Sequence, residues 1–184
     1  MKKLNTLLLI KISTLGLSYQ FTLWMFAICM FLVYQPTILN KEFIHDSILS
    51  IFWTVICATL WEEIFFRKYL FAKFKNRFSI KLSIFISSLL FGLIHINPTI
   101  IIFATITGII SCIIYQNTKN IIYSIIFHSS ANLFSLIIRV YINNYIYDLN
   151  SYNPNIALGF VIVSIAITSV LSLFILKGII NYHN

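Results

Sequence analysis

The sequence predicts an all-α protein, a polytopic transmembrane helix bundle of about six helices. Three observations predict it. Of 184 residues, 59% are hydrophobic and 10% charged, with a mean hydropathy of +0.90; a typical soluble domain carries roughly 25% charged residues. The apolar residues gather into stretches near the roughly 20 residues that cross a hydrocarbon core about 30 Å thick. These stretches use up the chain, so residues 1–184 read as a single integral membrane domain with no space for a separate soluble one.

The expected spans are 17–39, 47–71, 79–96, 99–116, 120–141 and 156–176. The opening segment, MKKLNTLLLIKIS, has the basic start of a signal peptide, but Lys11 interrupts its apolar part and no small-residue cleavage site follows. It is expected to be retained as a membrane-surface lead into the first helix. The second span carries LWEEIFFRKYLF, residues 60–71, in which two adjacent acids sit inside an apolar run. The third and fourth spans meet at Asn97-Pro98, a helix-breaking pair suited to a turn at the membrane surface. The fifth contains His128 and Asn132, and Lys177 follows the sixth. The Tyr- and Asn-rich stretch from Tyr141 to Asn155 reads as an interfacial loop with an aromatic belt. Cys29, Cys57 and Cys112 all fall within spans and form no C-x-x-C pair, so they are expected to be buried small hydrophobes without disulfides.

A net charge of +8 raises nucleic acid as a partner, and its distribution removes it. If six helices alternate, Lys2, Lys3, Lys11, Lys73, Lys75, Arg77, Lys81, Lys119 and Lys177 all fall on one side. The opposite loops hold Lys41 balanced by Glu42 and Asp46, and then Asp148. Positive residues stay inside, so both termini are expected in the cytoplasm, with the lipid bilayer and its anionic headgroups as the partner.

Against that frame of greasy helices, the buried polar residues need a reason. A charged side chain near a helix centre costs about 2.5 to 3.5 kcal/mol on insertion scales. Two of the five acids, Glu62 and Glu63, share one span. Neighbouring helix positions differ by about 100°, so the two acids should have different jobs. Glu63 and Arg67 have the favourable i, i+4 order of a helical ion pair; Glu62 has no such partner and must find one on another helix. His95 closes FGLIH near the end of the third span, and His128 opens HSSAN in the fifth, with Asn132 one turn on. At about 1.5 Å of rise per residue, Glu62, His95 and His128 lie roughly 16, 21 and 14 Å from the cytoplasmic boundary, so all three can meet. Taken singly, an intramembrane His or Asn reads as a packing hydrogen bond, Arg67 and Lys68 as interfacial residues, and Phe91 as lipid-facing or core packing. Together, on three helices at one depth, they read as a functional polar site. A proton or ion carrier would string such groups across the full membrane depth.

Glu62-Glu63-x-x-x-Arg67, Phe91-x-x-x-His95 and His128-x-x-x-Asn132, in that order on successive apolar segments, resemble the three-motif signature of the CPBP intramembrane proteases. That family, also called Abi, comprises CAAX prenyl endopeptidases and bacteriocin-processing or immunity proteins. The motif core covers about residues 53–140. The CAAX endopeptidases have about eight helices, whereas this chain fits about six.

The resemblance implies a glutamate-dependent endopeptidase acting on a membrane-associated peptide or protein, in peptide processing, self-immunity or prenylprotein maturation. Peptide hydrolysis needs an activated water and donors for the developing oxyanion. Glu62 is expected to be the general base and His95 to help hold and polarise the water. His128 and Asn132, on one helix face, would present N–H donors to the tetrahedral intermediate, and Glu63 would orient the site through Arg67. Ser129 and Ser130 point away from that face by about 100° or more, which opposes a serine nucleophile. Zinc is the close rival, since Glu62, His95 and His128 are ligand types it accepts, with water at the open position. The absence of an H-E-x-x-H pair and the presence of Asn132 favour the metal-free reading, with no cofactor. A non-catalytic immunity or scaffold protein that binds a membrane-active peptide is the alternative from another class. The Ile-, Asn- and Lys-rich usage points to a bacterial cell membrane.

Overall fold

The computed structural model describes residues 4–34, 48–149 and 154–181, and no strand occurs among them. The described helices are α1 (Thr6–Tyr34), α2 (48–75), α3 (Ile80–Leu93), α4 (Pro98–Thr118), α5 (Ile121–Leu149) and α6 (Pro154–Ile180). The all-α bundle of six helices is therefore as expected. Thr6–Phe26, Ile100–Thr118, Ile121–Ile138 and Val161–Ile180 are each long and apolar enough to cross a membrane. The chain is an integral membrane protein. Lys2, Lys3, Lys41, Glu42, Asp46 and the end of the expected first span lie outside the described residues.

The start of the chain departs from expectation. Residues from Thr6 onward are not a surface lead but the first two turns of α1. Leu8, Ile12, Leu15 and Tyr19 recur at helical spacing and are buried with Ile114 of α4, Tyr123 and Phe127 of α5 and Ile179 of α6. Lys11 lies on the exposed side, so its charge does not interrupt the helix. A Cβ on Gly16 would come within 2.6 Å of the Phe127 carbonyl, so α1 lies directly on the α5 backbone. The stretch from Tyr141 to Leu149 likewise continues α5 and is not a loop. Neither Pro nor Gly interrupts it before Pro154.

α3 ends earlier than its apolar run. Its last residue is Leu93, and Ile96 has a left-handed backbone with φ 62°. Pro98 disfavours a helical residue before it, while Asn97 starts α4, its Oδ1 accepting from the Ile100 N–H at 3.3 Å and its carbonyl accepting from Ile101 at 2.8 Å. His95 therefore stands on the turn between α3 and α4, not within a helix. The hairpin is tight, since a Cβ on Gly92 would collide with Thr105 Oγ1 of α4.

α2 is not a uniform α-helix. Trp53–Ala58 and Ile64–Phe71 are wide turns with i→i+5 hydrogen bonding, and the α-helical stretch Thr59–Glu63 between them carries both acids. Such bulges are rare and cluster at functional sites. In the first wide turn the carbonyls of Thr54 and Val55 also accept side-chain bonds. Thr59 Oγ1 donates to Thr54 at 3.2 Å, and Ser129 Oγ of α5 donates to Val55 at 2.9 Å. α5 is thereby fastened to α2 beside the acids.

Candidate active site

Glu63 is fully buried and surrounded by donors. Its Oε2 accepts from Arg67 Nε at 3.1 Å and Ser111 Oγ at 2.6 Å; its Oε1 accepts from Arg67 Nη2 at 3.3 Å and His128 Nδ1 at 3.0 Å. Four donors offset the cost of burying a carboxylate, and they occupy its lone pairs. The expected Glu63–Arg67 pair is present. Arg67 is itself buried, unlike the exposed Lys68, so it is not an interfacial residue. Its guanidinium carbon stands 4.9 Å from the centre of the Phe91 ring, a cation–π contact in place of water.

Glu62 turns the other way and meets the opposite edge of the same histidine. Its Oε2 lies 3.8 Å from His128 Nε2, and its side chain keeps 22% of its exposure. That distance is too long for a direct hydrogen bond, so both atoms remain open to a third group. His128 thus links the two acids, with Glu63 on Nδ1 and Glu62 near Nε2. A carboxylate only accepts, so Nδ1 carries the proton in the bond to Glu63.

His95 reaches the site from the turn after α3. Its Nδ1 is 3.0 Å from the Phe91 carbonyl, which must accept, so Nε2 holds the lone pair when the ring is neutral. Phe91 is completely buried and wedges edge-on between His95, His128 and Phe66, with ring centroids 5.2, 5.5 and 5.3 Å apart. It spaces the two histidines rather than facing lipid.

A cavity of about 560 Å³ opens beside these groups, lined by Asn132 of α5 and by Gln20 and Trp24 of α1. Glu62, His95 and His128 line the same cavity. Asn132 borders the cavity but directs its amide to α2, donating to Thr59 Oγ1 at 3.1 Å and to the Thr54 carbonyl at 3.4 Å. Glu63 and Arg67 stand behind His128, away from the cavity. Ser129 is held by Val55, and Ser130 packs at the α1 crossing near Gly16. Cys29, Cys57 and Cys112 are free thiols; Cys112 is buried and the others half-buried.

Ser111, Thr59 and Thr54 are site residues that spacing did not reveal. Ser111 brings a third helix, α4, to the Glu63 carboxylate. Its signal, one small hydroxyl in the apolar run Gly108–Ile113, is shared by many packing serines. As for zinc, among the described residues no group of three or more His, Cys, Asp or Glu side chains is arranged to hold a metal ion. Glu62 and His128 approach each other at 3.8 Å.

Residues 44–134 match the family model described as Rce1-like, type II CAAX prenyl endopeptidase Rce1-like. No curated protein and no solved structure gives a match. The matched segment takes in α2, α3, α4 and the part of α5 that ends just beyond Asn132, hence every motif residue.

Proposed function

We propose, from the match of residues 44–134 to the Rce1-like type II CAAX prenyl endopeptidase family model, that the chain is a glutamate-dependent intramembrane endopeptidase. Its substrate is a membrane-associated peptide or protein. The carrying observation is the contrast between the two acids. Glu63 has its oxygens occupied by Arg67, Ser111 and His128, whereas Glu62 lines the cavity with neither of its oxygens hydrogen-bonded among the described residues. A base must have a free lone pair at the reacting atom.

In this mechanism a water hydrogen-bonds to Glu62 Oε2 and is held on its other side by His95 Nε2. Glu62 takes one proton as the water oxygen attacks the substrate carbonyl, giving a tetrahedral oxyanion. Asn132 swings its amide from Thr59 towards that oxyanion, and His128 donates from Nε2 when it carries both protons. Glu62 returns its proton to the leaving nitrogen as the C–N bond breaks. Glu63 and Arg67 act behind His128 as positioning residues. No acyl-enzyme forms, and no metal is required.

The distribution of the basic residues supports cytoplasmic termini. Lys75 Nζ donates to Gln116 Oε1 at 3.2 Å, and the Asn5 N–H donates to the Tyr123 hydroxyl at 2.9 Å, so the end of α2 meets the end of α4 and the start of α1 meets the start of α5. These ends carry the lysine excess. Peptide maturation or self-immunity is the proposed biological role.

The test is purified protein on a membrane-anchored peptide library. Glu62→Gln is expected to stay inserted and to lose orders of magnitude in rate. A stable Glu62→Gln variant that cleaves at the wild-type rate would sink the mechanism. If Glu63→Gln alone abolishes turnover in a stable protein while Glu62→Gln does not, the two roles are reversed.

A further inference from the structure

Lys11 and Lys177 are the basic residues within the four membrane-crossing stretches, in Thr6–Phe26 and Val161–Ile180 respectively. Neither has an ion-pair partner among the described residues. The two helices run antiparallel, so the start of α1 lies beside the end of α6, and both lysines border one hollow of about 360 Å³. Asn181, Phe174, Ile175 and Gly178 line it as well.

Two ammonium groups in one hollow repel each other, and each is costly near hydrocarbon unless it reaches water or an anion. Snorkelling relieves a single lysine. The carbonyl end of α6 lies on this side and favours Lys177, which it carries, whereas Lys11 stands near the amide end of its own helix α1, which disfavours a cation. An anion between the two would neutralise both at once. The wall beneath is apolar and faces outward, with Phe174 76% exposed. A free inorganic ion has no use for that wall; an acyl chain does.

We propose that the groove between α1 and α6 binds one anionic phospholipid. Lys11 and Lys177 hold its phosphate, Asn181 donates to a phosphate or headgroup oxygen, and Phe174 and Ile175 carry an acyl chain. The site is separate from the peptidase cavity and stands whether or not the chain is a protease.

Native mass spectrometry of the full chain, released from nanodiscs of equal phosphatidylglycerol and phosphatidylcholine, tests this. One phosphatidylglycerol is expected to be retained in preference to phosphatidylcholine. Lys11→Gln and Lys177→Gln should each weaken retention about fivefold, and both together about thirtyfold. The paired Lys→Arg variant should keep the lipid. Lys73→Gln with Lys81→Gln, on the other basic loop, should leave it in place. If the paired Gln variant does not insert, the two single changes carry the comparison. Undiminished retention in the Gln variants overturns the proposal. So does equal loss in the Lys73 and Lys81 control, which means general surface charge. A third outcome against it is inorganic phosphate binding in pure phosphatidylcholine nanodiscs, sensitive to Lys11 and Lys177, with no retained phosphatidylglycerol.

Discussion

Glu63 is the residue on which the most interactions converge, and its neighbours fail differently when removed. Arg67→Ala leaves a fully buried carboxylate without its cation, and breaking such a pair typically costs about 3 to 5 kcal/mol. Folded yield in membranes should fall together with activity, and Glu63→Gln with Arg67→Gln should restore yield without restoring full activity. Ser111→Ala removes one charge-assisted bond worth about 1.5 to 3 kcal/mol, so a lowered melting temperature with an intact fold is expected by thermal denaturation in detergent. Asn132→Ala should lose about a hundredfold in kcat, the scale of one oxyanion donor. If Asn132 serves only to hold Thr59, Thr59→Ala should match that loss. The Glu63–Arg67 pair was legible because it is local and obeys helix spacing. Ser111 was not, because its partner is 48 residues away and a serine in an apolar run has no periodicity of its own.

At the scale of elements, the apolar runs foretold where helices lie but not how they end or widen. His95 read as helical because the run continues to Ile96, yet the helix stops at Leu93 and the turn delivers the imidazole to the cavity. Asn97→Ala should cost about 1 kcal/mol through loss of the α4 cap and reduce kcat by displacing His95, measurable as parallel losses in stability and rate. The wide turns of α2 have no sequence signature, since i→i+5 bonding uses the same residues as an ordinary helix. They do explain the serines of α5. Ser129 serves a carbonyl of the first wide turn, and Ser130 packs against α1. Ser129→Ala and Ser130→Ala should keep most activity, and serine-directed covalent probes should leave the chain unlabelled in a gel assay.

For the whole molecule, the proposed alternation of six helices is expected to put Asn76 and Asn150 on opposite sides of the membrane. Reporter fusions should give cytoplasmic signal at Asn76 and external signal at Asn150; the same side for both removes the topology. Dialysis against a chelator should leave cleavage unchanged, and activity that disappears and returns with zinc would replace the proposed chemistry. The count and order of helices were legible from composition because the bilayer admits few architectures. The depth of α1 in the bundle was not. One lysine in an apolar run looks like a boundary, and only the packing of Leu8 and Ile12 reveals that the helix passes beneath it.

Gln20 and Trp24, which help line the cavity, come from α1, upstream of the segment that matches the protease family. Under the proposed mechanism, the groups that break the bond and part of the surface that meets the substrate are encoded in different stretches of sequence. Drift in α1 can change the menu without touching the blade. Trp24→Ala should shift KM and the ranking of library peptides while kcat on the best of them holds, and Glu62→Gln should do the reverse.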